Sequence, residues 1–186
     1  MGIEGLRGTV SVFSAFVFGW QLWGAGRTFR LPAGEKPAFR HQLVPLTFIV
    51  VLMRSLSLPL VPGPVLPGCL GLAAALFLFE WARHSIRGRY FSYVFSRDVP
   101  GFLWTGGAFA YIRNPFYASY LLSAASVAVM FSDISVLLLF MLLFLFARAA
   151  ARHEERKFLA SPFREEYEAY ARRTGRFVPG VGRLRS

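Results

Sequence analysis

Five apolar runs separated by short polar segments dominate the chain. The first three cover about residues 9–26, 41–60 and 65–82, and the longest covers about 116–150 with a polar break at Ser132–Asp133. A helix crosses a bilayer with about 20 apolar residues, so the longest run exceeds one span, and an aspartate at its middle would be costly in lipid. The pattern therefore predicts an all-α membrane protein with five transmembrane helices, the last two forming a tight hairpin.

Beyond the last apolar run, charged and aromatic positions alternate. A helix that ends near Ala160 is followed by Ser161–Pro162, which is typical of the N-cap and first position of a new helix. One face of that helix is aromatic, with Phe163, Tyr167 and Tyr170 at positions i, i+4 and i+7. We predict a C-terminal amphipathic helix on the cytoplasmic membrane surface. Thr174–Gly175 should stop this helix, and residues 177–179 should follow as an extended end.

The distribution of positive charge predicts the orientation. The formal net charge is +11, and the basic residues concentrate in segments 27–40 and 83–113 and from residue 148 onward. The alternate loops, 61–64 and 132–133, contain none. Charge placed between apolar runs fits loops that face an anionic cytoplasmic leaflet and does not indicate a nucleic-acid surface. We therefore expect the N-terminus outside and the C-terminus in the cytoplasm. Arg54, inside the second run, should snorkel or face a polar cavity.

Composition supports one membrane domain over residues 1–186, made of two spans in 1–64 and the remaining elements in 65–180. The chain is 55% hydrophobic with a mean hydropathy of +0.45, which exceeds what a soluble domain of this size requires. The single cysteine excludes an intrachain disulfide, and the three histidines lack metal-ligand spacing. Trp20 and Trp23 favour a retained span with an interfacial belt over a cleaved signal peptide.

The chemistry-bearing side chains cluster at one membrane depth. The predicted hairpin brings the start of the fourth span next to the end of the fifth, and the polar residues there are Arg113, Asn114, Tyr117, Arg148, Arg152, His153, Glu154 and Glu155. Helical spacing places Arg148, Arg152 and Glu155 on one face. Two interpretations follow from the pattern: arginine anchors with carboxylate partners, or a pocket for a polar cofactor of mixed charge. No Rossmann fingerprint, P-loop or zinc-binding HExxH is present.

Three stretches resemble a known family. "GGAFAYIRNPFYAS" is similar to the R-H-P-x-Y-x-G region of the isoprenylcysteine carboxyl methyltransferases and their phospholipid methyltransferase relatives. "EERKFL" and "FREEYEAYARRTGRFVP" resemble that family's E-E-x-x-L stretch and its closing aromatic motif. The resemblance covers about residues 70–180, with matching order and hairpin spacing. The first two runs match in hydropathy alone.

The resemblance implies an integral-membrane methyltransferase that uses S-adenosyl-L-methionine. It assigns cofactor-binding roles to Gly101, Phe102, Leu103, Trp104, Phe109, Arg113, Asn114, Pro115, Phe116, Tyr117 and one of Glu154 and Glu155. The family's substrate-side catalytic arginine corresponds to Arg148 or Arg152. Two departures stand out, since Asn114 replaces the usual histidine and Ser119 replaces the usual glycine.

The implied reaction is methyl transfer to a lipophilic acceptor that enters laterally from the bilayer while the cofactor enters from the cytoplasm. A prenylcysteine carboxylate, a phospholipid amine and an isoprenoid-like molecule are all possible acceptors. Likeness to short prokaryotic members implies the cytoplasmic membrane of a prokaryote. An NADPH-dependent sterol-type reductase is an alternative, although Phe116 and Tyr120 depart from that group's motif. A non-catalytic membrane subunit is a second alternative, with no positive feature in its favour.

Overall fold

The protein is a bundle of helices with a small ribbon at one end. The computed structural model describes residues 2–30, 34, 42–61, 64–86, 88–92 and 99–182. The helices in these ranges are α1 Ile3–Thr28, α2 Leu43–Ser57, α3 Val65–Ser85, α4 Pro115–Phe131, α5 Ile134–Leu159 and α6 Arg164–Arg173. Two strands, β1 Phe29–Arg30 and β2 Phe91–Ser92, pair in parallel, and a short 3-10 helix covers Gly107–Ala110. The helical class is confirmed, and the two-stranded ribbon is an addition.

Two of the described helices, α3 and α5, are long and apolar enough to cross a membrane. Helices α2 and α4 are apolar but have 15 and 17 residues, fewer than the roughly 20 that a perpendicular span requires. The five apolar runs thus correspond to five helices, while five membrane crossings stay a prediction. Among the basic residues behind the predicted orientation, Lys36, Arg40, Arg87 and Arg97 lie outside the described residues.

The predicted break of the longest apolar run is confirmed at Ser132–Asp133. Helix α4 ends where Ser132 adopts a left-handed conformation with φ 48°, and the Asp133 carboxylate accepts a hydrogen bond of 2.8 Å from the Ser135 amide as the N-cap of α5. Hydrogen bonds from Ser135 hold the pKa of Asp133 below its ordinary value. Arg54 donates to the Ser135 hydroxyl at 3.0 Å and lies 3.8 Å from the Asp133 carboxylate. Arg54 therefore has polar partners at the hairpin tip.

Close packing of α3 against α4 depends on two glycines. A Cβ atom at Gly68 would lie 2.2 Å from the Met130 side chain and 3.1 Å from the Ser126 carbonyl oxygen, and one at Gly71 would lie 2.2 Å from the Ser126 hydroxyl. Small residues let helix backbones approach closely, which is a common solution in membrane bundles. This contact holds the C-terminal half of α4 against α3.

Substitution of Gly68 by alanine is expected to lower stability by about 1–2 kcal/mol, because the added methyl group overpacks this contact. The matched control is Gly19→Ala in α1, where a Cβ atom meets nothing within 4 Å. Thermal unfolding of the detergent-purified variants is the measurement. The packing argument fails if both variants unfold at the same temperature.

The C-terminal region corrects three expectations. Helix α6 begins at Arg164 instead of Pro162, and the Ser161 hydroxyl accepts from the Phe163 amide at 3.2 Å in the turn before it. The aromatic face does not lie on a membrane surface, since Tyr167 and Tyr170 are only 4% and 3% exposed within the protein. The segment after α6 is a turn instead of an extended end, closed by a Val181-to-Val178 backbone hydrogen bond of 3.1 Å.

Candidate functional site

A cavity lies at the end of the bundle where α4 begins and α5 ends. It encloses about 750 Å³, its open mouth and the adjoining solvent included. Its walls come from the ribbon, the segment before α4, the two hairpin ends and α6. The lining residues are Phe29, Phe91, Ser92, Leu103, Trp104, Phe109, Arg113, Asn114, Pro115, Phe116, Tyr117, Glu154, Glu155, Phe158, Tyr167 and Tyr170. The cavity is thus an aromatic chamber with a few convergent polar groups.

The segment before α4 is held as a fixed turn. Pro115 occupies the first position of α4, where its missing N–H has no helical partner to lose. The Arg113 and Asn114 amides donate to the Gly175 and Arg176 carbonyl oxygens at 2.8 and 3.1 Å. Gly175 is required at this contact, because a Cβ atom there would lie 1.8 Å from a backbone oxygen. The chain before α4 and the chain after α6 therefore form one unit at the cavity wall.

Arg113 is the centre of a buried polar network. Its guanidinium donates to the carbonyl oxygens of Ala171, Thr174 and Gly182 at 2.5–3.0 Å and to the Glu155 carboxylate at 3.1 Å. Its side chain is 2% exposed and that of Glu155 is 9% exposed. A charge buried this deeply requires both a counter-ion and hydrogen bonds, and this network supplies both. Of the donor groups of Arg113, the Nε–H alone is buried without a hydrogen-bond partner among the described residues.

The two adjacent glutamates of α5 have different surroundings. Glu155 is shared between Arg113 and Arg176, whose guanidinium donates to both carboxylate oxygens at 2.8 Å. This interaction raises the pKa of Arg176. Glu154 also lines the cavity, together with Tyr117, and its carboxylate lies 3.8 Å from the Lys157 ammonium group. Glu155 is therefore committed to fixing the C-terminal segment, whereas the Glu154 side chain is more exposed, at 27% against 9% for Glu155.

Aromatic side chains of α5 and α6 complete the wall opposite α4. The Tyr167 ring stacks on Phe158 with centroids 5.0 Å apart, and the Tyr170 hydroxyl donates to the Phe109 carbonyl oxygen at 2.6 Å. Burial raises the pKa of both tyrosines, so both stay protonated near neutral pH. Among the described residues, the buried indole N–H of Trp104 has no hydrogen-bond partner. That N–H and the Nε–H of Arg113 are two donors without a described partner on residues that line the cavity.

Of the fourteen residues given cofactor-binding or catalytic roles from the sequence, ten line this cavity and four do not. Gly101 and Phe102 lie outside its lining, and Arg148 and Arg152 are exposed on α5. Glu155, which helical spacing places on the same face, is buried and pairs with Arg113 and Arg176 instead. The residues missed from the sequence are Phe29, Phe91, Ser92, Phe158, Tyr167 and Tyr170. The aromatic spacing in α6 was the available signal for the two tyrosines.

Asn114 and Ser119, the two departures from the family pattern, have different surroundings. The Asn114 side-chain amide donates to the Arg176 carbonyl oxygen at 3.3 Å, so it helps to hold the C-terminal segment. Ser119 is fully buried, and its hydroxyl donates to the Phe116 carbonyl oxygen at 2.7 Å. Ser119 is not part of the cavity lining, so it does not narrow the cavity directly.

A family model described as phospholipid methyltransferase matches residues 66–166, a range that includes α3, α4, α5 and most of the cavity lining. No curated protein and no solved structure matches the chain. The matched range is just over half of the 186 residues. The chain therefore belongs to the phospholipid methyltransferase family.

Proposed function

We propose that this protein transfers a methyl group from S-adenosyl-L-methionine to a lipophilic acceptor in the membrane. The cavity at the end of the α4–α5 hairpin carries the proposal, because it joins aromatic walls to the Glu154 carboxylate within the segment that matches the family. Aromatic faces suit the sulfonium of this cofactor, and a carboxylate can accept hydrogen bonds from its ribose diol. Membership of a methyltransferase family supports the same reaction.

The residues present fit that cofactor. Aromatic faces such as those of Trp104 and Phe158 suit a sulfonium cation, and the Glu154 carboxylate can accept hydrogen bonds from both ribose hydroxyls. The buried N–H groups of Trp104 and Arg113 that lack partners are donors for the cofactor's carboxylate or adenine. Arg113 has this single donor left, so we assign it chiefly to fixing the C-terminal segment. Arg148 and Arg152, both exposed, are left without a proposed role in the reaction.

The cofactor supplies an electrophilic methyl group for an in-line displacement. The protein's contribution to such a step is positioning and the exclusion of water. The fixed turn before α4 and the stacked pair Phe158 and Tyr167 hold the cavity walls in one arrangement. The ribbon residues Phe29 and Phe91 close the remaining side with apolar surface. An acceptor that reaches the cavity from the bilayer would therefore meet its methyl donor in an apolar chamber.

The match to the phospholipid methyltransferase family favours a lipid as the methyl acceptor. A phospholipid amine would have to lose a proton before it attacks. A prenylcysteine-like carboxylate needs no base. We propose a lipid acceptor of one of these two kinds, with the phospholipid amine favoured by the family match.

The proposed arrangement in the membrane is five spans with the cavity at the cytoplasmic surface. Cysteine placed at Ile134, which is exposed at the hairpin tip, is expected to react with a membrane-impermeant thiol reagent outside intact cells. Cysteine at Arg172 in α6 is expected to stay protected. Both variants carry Cys69→Ala, which removes the native thiol. Labelling at residue 172 without labelling at residue 134 would reverse the orientation and move the cavity to the outer surface.

Calorimetric titration of the detergent-purified protein tests the proposed function. S-adenosylhomocysteine, the product form of the cofactor, is expected to bind with one site per chain, and NADPH is expected not to bind. Binding of NADPH alone would overturn the proposal in favour of a reductase. If neither compound binds, the proposal that this protein uses S-adenosyl-L-methionine fails.

A further inference from the structure

A second concave site lies outside the cavity, at the ends of α1 and α3. It is an open cleft of about 620 Å³, the adjoining solvent included, and residues that line it include Arg27, Thr28, Arg83, His84, Arg89 and Tyr90. The ribbon separates the two sites. Phe29 and Phe91 line the cavity, whereas their chain neighbours Thr28 and Tyr90 line the cleft. The cleft thus shares a wall with the cavity and none of its lining residues.

The cleft carries positive charge that no carboxylate of the described residues neutralises. Glu80 compensates Arg83, which donates to its carboxylate at 2.7–3.1 Å, and the Trp20 indole donates to the same carboxylate at 2.7 Å. Arg27 and Arg89 have no carboxylate partner among the described residues. Their guanidinium groups lie against aromatic rings, Arg27 at 4.4 Å from Trp23 and Arg89 at 5.3 Å from Trp104.

The contacts of these two guanidinium groups favour binding of a phosphate. Both guanidinium groups are exposed and lie over aromatic rings, with no hydrogen-bond acceptor among the described residues. Arginine N–H edges match phosphate oxygens in a bidentate geometry. Among the described residues, the uncompensated charge of the cleft is +2, from Arg27 and Arg89. A monoanionic phosphate diester would neutralise part of this charge without displacing Glu80 from Arg83.

Exposed tryptophans near the cleft indicate its level in the membrane, and with it the source of the phosphate. Trp20, Trp23 and Trp81 are exposed on the outer sides of α1 and α3, near the ends that form the cleft. Exposed tryptophans in this arrangement are typical of the headgroup level of a bilayer. We infer that the cleft binds the phosphate of an anionic membrane phospholipid, at a site separate from the methyl-transfer cavity. This site is independent of the reaction proposed above.

The test compares lipid binding by two charge-matched double variants. Arg27→Gln with Arg89→Gln removes the cleft charge, and Arg172→Gln with Arg173→Gln removes two exposed charges from the end of α6. Native mass spectrometry in detergent measures retention of phosphatidylglycerol, and thermal unfolding confirms that each variant is folded. The cleft variant is expected to bind phosphatidylglycerol roughly 25-fold more weakly than the wild type, about fivefold for each arginine. The control variant should match the wild type.

A parallel titration with inorganic phosphate separates the two possible sources. The wild type is expected to show no thermal stabilisation at phosphate concentrations where phosphatidylglycerol is retained. Stabilisation by inorganic phosphate that is lost in the cleft variant, without lipid retention by the wild type, would assign the cleft to a soluble phosphate and overturn the proposal. Equal loss of lipid in both double variants would overturn it as well, since the effect would then reflect net charge alone.

Discussion

Replacement of Glu155 by glutamine is expected to destabilise the protein by about 3–5 kcal/mol, the range for removal of one partner from a buried ion pair. The Arg113 side chain is 2% exposed, and Glu155 is the only carboxylate bonded to it among the described residues. Glutamine keeps the shape and one acceptor oxygen but removes the charge. Because Arg113 and Arg176 hold the chain after α6 against the turn before α4, that segment should loosen first.

Thermal unfolding and limited trypsin digestion measure the two parts of this expectation. The Glu155→Gln variant should unfold at a lower temperature and should be cleaved faster near Arg173 and Arg176. Glu154→Gln is the matched control, one position away on the same helix. The double variant Arg113→Gln with Glu155→Gln should lose less stability than the sum of the two single changes, because the buried Arg113 charge is removed together with its counter-ion. Additive losses would show that the two residues do not interact as described.

Replacement of Glu154 by glutamine is expected to weaken S-adenosylhomocysteine binding by about 1–3 kcal/mol, the range for a hydrogen bond to a charged group. Stability should fall less than in the Glu155 variant, because the Glu154 side chain is less buried than that of Glu155. This pattern is the opposite of that expected for Glu155. Isothermal titration and thermal unfolding on the same preparations separate the two glutamates.

Two further variants test whether the effect of Glu154→Gln is specific to the cavity. They are Tyr117→Phe inside the cavity and Glu168→Gln outside it. Tyr117 lines the cavity with Glu154, so removal of its hydroxyl should reduce affinity while the apolar ring is retained. Glu168 pairs with Arg164 on the exposed side of α6 and should have no effect on binding. Wild-type affinity in the Glu154 variant, with reduced affinity in the Glu155 variant only, would move the ligand-binding carboxylate to Glu155.

The sequence predicted much of the helical framework because the signals involved are local. Pro115 at the start of α4 and the polar pair Ser132–Asp133 between α4 and α5 set boundaries that the structure reproduces. Gly175 likewise marks the end of α6. A helix start that depended on finer geometry was misplaced by two residues, at Arg164 instead of Pro162. There Ser161 forms a separate turn before the helix begins.

Local sequence signals do not predict which residues line the cavity. Adjacent residues on a helix point about 100° apart, so the choice between Glu154 and Glu155 depends on how α5 is rotated against α4 and α6. That rotation also places Arg148 and Arg152 at the exposed surface. Phe29 and Phe91 meet only because two loops distant in sequence pair as a ribbon.

By itself, the sequence determined the helical class, the hairpin and the end of the bundle at which polar residues gather, since hydropathy, proline and charge act over a few residues. The tertiary structure alone decided which of those polar residues face the cavity. A buried charge takes whichever partner packing brings within hydrogen-bonding distance, and for Arg113 those partners are Glu155 and the chain after α6. Such partners lie 42 to 69 residues away, beyond the reach of any periodicity.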